Sequence, residues 1–157
     1  MDIIYLNYGD YILSFKSGAG FVRGFDDKIT SSNRFALGGG VLRGFDSAGV
    51  GPRDTGNDGA VGGNNFYNFS IQIKSDTWLP EDTGLEWILF SDIGSLWGTD
   101  YKDGVQGYND IEPRITNGFG LSMSTPVGPL QMIWGFPAVS QNYDKEENFQ
   151  FSIGTNF

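Results

Sequence analysis

The sequence contains neither cysteine nor histidine. Without cysteine it can form no disulfide framework and no thiolate metal site. Without histidine it lacks the commonest general base and the commonest metal ligand, so Ser-His-Asp and Cys-His catalysis are excluded within this chain. Basic residues are scarce: 10 Lys and Arg stand against 19 Asp and Glu, a net charge of -9. That balance argues against nucleic acid, whose phosphates demand a basic surface. Long apolar runs are missing too, so no transmembrane helix is expected, although strands of a transmembrane β-barrel need no such run. The first residues, MDIIYLNYGD, lack the basic segment and apolar core of a signal peptide. An exported protein beginning here is expected to have lost its leader or to be a fragment.

What the chain has instead is glycine, 24 residues, and aromatics, 15% of the total. Aromatics favour strands and glycine punctuates them. In 115–124, Ile115, Asn117, Phe119, Leu121 and Met123 share one face, opposite Thr116, Gly118, Gly120, Ser122 and Ser124. In 66–74, Tyr67, Phe69, Ile71 and Ile73 oppose Asn68, Ser70, Gln72 and Lys74. In 149–157, Phe149, Phe151, Ile153, Thr155 and Phe157 oppose Gln150, Ser152, Gly154 and Asn156. A period of two predicts strands at all three places, and less regular strands fit 11–22, 85–93, 129–136 and 2–8.

The connections alternate in length. TPVGP at 125–129 is short and 75–84 is modest, whereas 94–113, 138–148 and about 26–63 are long. Short turns on one side and long loops on the other describe an antiparallel transmembrane β-barrel, with about seven strands here. A soluble antiparallel sandwich also alternates. However, the polar face here is small and uncharged, and the apolar face carries large aromatics, with Trp87, Trp97 and Trp134 at strand ends or within strands. A chain ending mid-strand on Phe157 also suits a barrel, whose last strand must pair to close the edge.

Arg-Gly-Phe-Asp occurs twice, at 23–26 and 43–46. The first copy sits where a strand runs out, which makes Arg23 an ordinary strand-end residue. The second lies in SNRFALGGGVLRGFDSAGVGPRD, 32–54. Gly38, Gly39 and Gly40 permit positive φ and close backbone approach. They do not make a phosphate loop, because no Lys-Ser/Thr follows. The acidic Asp144, Glu146 and Glu147 read as a solvated loop.

Several stretches, in order, resemble one family. They are Arg34-Phe35, Gly38-Gly39 and Leu42-Arg43-Gly44-Phe45 in the long loop, then AVGGNNFYNF at 60–69, FSDIGSLWG at 90–98, TPVGPLQ at 125–131 and FQFSIGTNF at 149–157. Together they are similar to the BamA family of bacterial outer-membrane assembly barrels, also called the bacterial surface antigen family. The resemblance implies an insertase in the bacterial outer membrane rather than an enzyme, working without cofactor or metal. It assists client β-barrels into the membrane through a lateral seam.

The resemblance also implies that the long loop folds into the barrel and that Arg43 pairs with lumen acids. Asp92, on the same face as Glu86, matches one of these acids; Gln72 stands where the family has the other, and is neutral. Phe151, Ile153, Gly154 and Phe157 match the C-terminal signal at the seam. The partners implied are unfolded outer-membrane clients, outer-membrane lipid, and the lipoproteins of the BAM complex, held by periplasmic POTRA domains that this chain lacks. Residues 1–157 are then a single partial domain, the C-terminal strands of a larger barrel. A TamA-type translocation subunit shares the fold and loop motif, and a small standalone barrel serving as surface antigen or adhesin is the alternative from another class.

Overall fold

The computed structural model describes residues 2–25, 28–80, 83–126 and 128–154. Seven strands form one antiparallel sheet: β1 (Asp2–Tyr8), β2 (Tyr11–Phe21), β5 (Asn65–Ser75), β6 (Leu85–Trp97), β8 (Arg114–Thr125), β9 (Gly128–Val139) and β11 (Phe149–Ile153). They neighbour one another in that order, so β1 and β11 are the two edges and the sheet is open. Four two-residue strands decorate the loops: β3 (Gly44–Phe45), β4 (Arg53–Asp54), β7 (Val105–Gln106) and β10 (Glu146–Glu147). β10 pairs with β3 and β4 with β7. No described helix is long and apolar enough to cross a membrane; β2, β5, β6, β8 and β9, of 11 to 13 residues, are long enough as strands.

Alternation produces two unlike faces, because successive side chains of a strand point oppositely. Leu89, Phe119, Phe149 and Phe151 are each about half exposed, at 51%, 48%, 47% and 54%. On the other face Ser70, Asp92, Thr116 and Ser122 are buried. A water-soluble sheet has the reverse arrangement; exposed aromatics over a buried polar interior suit hydrocarbon outside. Rings also gather at both ends of the strands. Trp87 stacks on Trp78 at 6.2 Å and meets Tyr11 edge-on, while Trp97 meets Tyr67 edge-on at 5.9 Å at the opposite end. Such amphipathic rings suit the two membrane–water interfaces.

The small residues of the inner face make room for specific neighbours. A Cβ on Gly118 would lie 2.3 Å from the Phe90 ring, and one on Gly120 would lie 2.5 Å from Ile133 Cδ1. Phe90, Ile88 and Ile133 thus form a buried apolar cluster inside the wall. A strand stands at every expected place, with three boundaries corrected. β6 runs on to Trp97 and β9 to Val139, so the loops expected at 94 and 138 begin later, and of the strand expected over 149–157 only Phe149–Ile153 is strand among the described residues. Gly94 keeps the inward parity of Phe90 and Asp92 and its pairing to Asn68, and Leu37 of the long loop packs over it. Residues 155–157, including Phe157, lie outside the described residues, as do Asp26 of the first tetrapeptide and Val127 of the short turn.

Candidate functional site: the long loop against the wall

The segment between β2 and β5 builds its own core. Leu37, Leu42, Phe45 and Val50 pack with Leu96 of β6, and Phe35 and Phe66 lean against them. Burying four large side chains outside the sheet gives the loop a reason to fold onto it. Gly38 at φ 135 and Gly39 at φ 56 turn the chain where the sequence anticipates it. At Gly38 an added Cβ would stand 2.1 Å from the Asp46 carbonyl oxygen. Gly40 is not in the left-handed region; Gly44, at φ 89, is. That reassignment has a packing cause: a Cβ at Gly44 would meet Thr116 Cγ2 at 2.7 Å, and one at Gly135 would meet Gly44 N at 2.7 Å. Two glycine backbones cross there without side chains between them.

Next to Gly44 the Arg43 guanidinium spreads over the wall. Its Nε donates to Asp92 Oδ2 at 2.8 Å, Nη2 to Asp92 Oδ1 at 2.7 Å and Nη1 to Gln72 Oε1 at 2.6 Å. Nη2 also donates to Ser70 at 3.0 Å, and the Arg43 backbone N–H to Asp92 Oδ2 at 3.1 Å. The Phe90 ring lies 3.6 Å from the guanidinium carbon, within cation–π range. A planar fork suits this two-pronged grip on a carboxylate, which the point charge of lysine does not reproduce. Arg43, Asp92 and Gln72 therefore meet, joined by Ser70 and Phe90, which the sequence did not single out. Glu86, on the same face, pairs instead with Lys74 at 2.6 Å. Beside the site lies a polar cavity of about 460 Å³, lined among others by Lys16, Asn68, Gln131 and Gln150.

Two further arginines hold the loop's outer part. Arg34 is buried and donates to Thr99 at 2.6 Å and to the Ile29 carbonyl at 2.5 Å. Arg53, also buried, donates to the carbonyls of Asp58, Ala48 and Gly49 at 2.8, 3.2 and 3.2 Å. By contrast, Arg23 of the first tetrapeptide is exposed beyond the end of β2.

The acidic stretch at 144–147 corrects the sequence reading. Asp144 is no solvated residue: it forms an ion pair with Arg114 at 2.8 Å, both side chains having no exposure. Arg114 also donates to Tyr143 Oη at 3.0 Å, and that hydroxyl donates to Asp110. Burial, and then the bond to Asp110, push the Tyr143 phenol above its ordinary range. Only Glu146 and Glu147 remain exposed. The fault lay in reading a charge run as a unit: Asp144 meets the buried Arg114, while Glu146 and Glu147 stay at the surface.

Among the residues expected at the seam, Phe151 and Ile153 are exposed on the outer face and Gly154 has φ 118 with nothing within 4 Å of an added Cβ. Among the described residues, no group of three His, Cys, Asp or Glu is disposed to hold a metal.

An open wall of antiparallel strands, aromatic outside and polar inside, with its longest loop clasped to the inner face, defines the wall of an outer-membrane β-barrel. Comparison with known proteins identifies the particular family: residues 4–157 match the Omp85 superfamily domain, and the chain belongs to that superfamily. It is a bacterial outer-membrane protein by that membership. It is 31% identical over 147 residues to the outer membrane protein assembly factor BamA of Neorickettsia risticii, covering 93% of this chain and 20% of the relative. It is 26% identical to BamA of Neisseria meningitidis, covering 80% of this chain and 19% of the relative. The chain thus spans about a fifth of the length of these curated relatives. A crystal structure of Haemophilus ducreyi BamA lacking POTRA domains 1–3 superposes with a TM-score of 0.79 at 24% identity, covering 95% of this chain and 32% of that one.

Proposed function

We propose that this chain supplies the C-terminal wall of a BamA-type assembly factor, which assists the folding and insertion of β-barrel proteins into the outer membrane. The observation that carries the proposal is the grip of Arg43 on Asp92 and Gln72, which holds a long loop against the inner face of the wall. The similarity to BamA proteins supports it. A free strand edge presents unpaired N–H and C=O groups to which a client strand adds by β-augmentation. The work is templating, with no bond made or broken. In this reading the chain is the C-terminal part of a larger barrel. Its clients are unfolded outer-membrane barrels, lipid meets its aromatic face, and lipoprotein partners are held by POTRA domains elsewhere.

The test is reconstitution. The full chain as the cell makes it, in vesicles of outer-membrane-like lipid, should speed the folding of an unfolded client barrel at least tenfold over empty vesicles. Folding is read by the client's acquired resistance to protease. A rate equal to that of empty vesicles would refute the proposal.

A further inference from the structure

Three consecutive loop residues touch five consecutive strands. Arg43 reaches Gln72 and Ser70 on β5 and Asp92 on β6. Gly44 packs on Thr116 of β8 and against the backbone of Gly135 on β9. The Phe45 carbonyl accepts a 2.8 Å bond from Nε2 of Gln150 on β11. The loop is therefore a strut laid across the inner face from mid-wall to the terminal strand.

Its grip on the terminal strand is extensive. Glu146 and Glu147 of β10 pair antiparallel with Phe45 and Gly44 of β3. The ladder continues where Asp46 N–H donates to the Lys145 carbonyl and Lys145 N–H to the Gly49 carbonyl, each at 2.9 Å. Immediately below, Gly135 N–H donates to the Asn148 carbonyl at 2.9 Å and Phe149 enters register with Trp134 of β9. One continuous segment thus belongs to the loop above and to the wall below. Its wall portion among the described residues, Phe149–Ile153, pairs with β9, so the stretch from Lys145 to Ile153 is held both by the loop and by the wall.

We propose that the loop and the terminal strand move as one unit. The loop's docking at Asp92 fixes the position of β11 through the 44–46/145–147 ladder, and Gln150 is the positioning residue that links the two. Whatever displaces β11, such as an added client strand, would loosen Arg43, and loss of the Arg43 grip would release β11. Coupling between two sites is reciprocal, so both directions must hold. The inference rests on the reading of β11 as the seam strand under Proposed function.

Amide hydrogen exchange on the full chain in lipid vesicles, with no client present, tests it. Arg43→Ala should speed exchange of Glu146–Ile153 at least tenfold while the β2–β5 ladder keeps its protection. Gln150→Glu, which matches the shape but removes the donor, should speed proteolysis within residues 34–50 at least tenfold. Gln150→Lys, which restores a long donor, should reverse most of that. Changes confined to the mutated side would overturn the coupling. If Arg43→Ala also strips protection from β2–β5, a cross-linked variant decides the question. Asp46→Cys and Lys145→Cys, in a chain that has no other cysteine, are joined by a short bismaleimide. Slower exchange across Phe149–Ile153 supports the unit, and unchanged exchange overturns it. Because no client is present, failure here leaves the assembly reading standing, and failure of client assembly leaves the coupling measurable.

Discussion

The Asp92 carboxylate accepts three bonds from one arginine, including its backbone N–H, whereas the uncharged Gln72 accepts one from the guanidinium. Each bond that involves a charged group contributes roughly 1.5–3 kcal/mol, and Asp92 accepts three of them and alone supplies the opposite charge. Asp92→Asn should therefore increase proteolysis of residues 34–50 several-fold more than Gln72→Ala. Equal sensitivity in the two variants would contradict the geometry. Gly44→Ala places a methyl group 2.7 Å from Thr116 on a left-handed backbone, and strain of this kind costs on the order of 1–3 kcal/mol. It should expose the loop to protease as Asp92→Asn does. The buried pair at Arg114 and Asp144 makes a larger claim. Arg114→Ala leaves an unpaired buried carboxylate, worth about 3–5 kcal/mol, and should lower the denaturant midpoint of unfolding.

Tyr143 adds a pH dependence to that cluster. Its phenol is held above the ordinary value of about 10, so its contribution to stability is complete below pH ~10 and is lost as pH rises beyond it. Proteolysis at residues 140–148 should rise above pH ~10, and Tyr143→Phe should remove that rise. At this scale Arg43 and Asp92 were legible from the family resemblance, with strand parity placing Asp92 on the face of Glu86. Asp144 was not: its partner lies 30 residues away at the start of another strand, and nothing local distinguishes a paired carboxylate from a solvated one.

At the scale of the element, the wall strands were readable because hydrocarbon outside and a packed interior impose opposite demands on alternate residues. Boundaries failed where the local sequence read as a stop. Gly94 punctuates, yet it keeps the inward parity of β6 and lies beneath Leu37 of the loop. β9 continues through Pro137 because the register shifts at Ile115/Thr116, and an irregularity of this kind tolerates a residue without an N–H. The two-residue strands β3, β4, β7 and β10 carry no period; their partners create them. If the outward face meets lipid, Phe119→Arg at mid-strand should destabilise the folded chain by about 2–4 kcal/mol in bilayers. Denaturant unfolding from lipid vesicles measures this, and a cost near zero would place that face in water.

For the whole molecule, the wall and the loop make one device: an antiparallel sheet braced from inside by an arginine. The resemblance in sequence covered both parts, but the brace's reach across β8 and β9 to β11 became visible only when Gly44, Gly135 and Gln150 were seen together. A double-mutant cycle on Arg43 and Asp92, read out as client assembly rate in vesicles, tests the central claim most directly. If the grip is the working part, Arg43→Gln and Asp92→Asn should each slow assembly at least tenfold, and the double variant should be little slower than either alone. Losses that multiply in the double variant would contradict the account, because the two residues would then act independently.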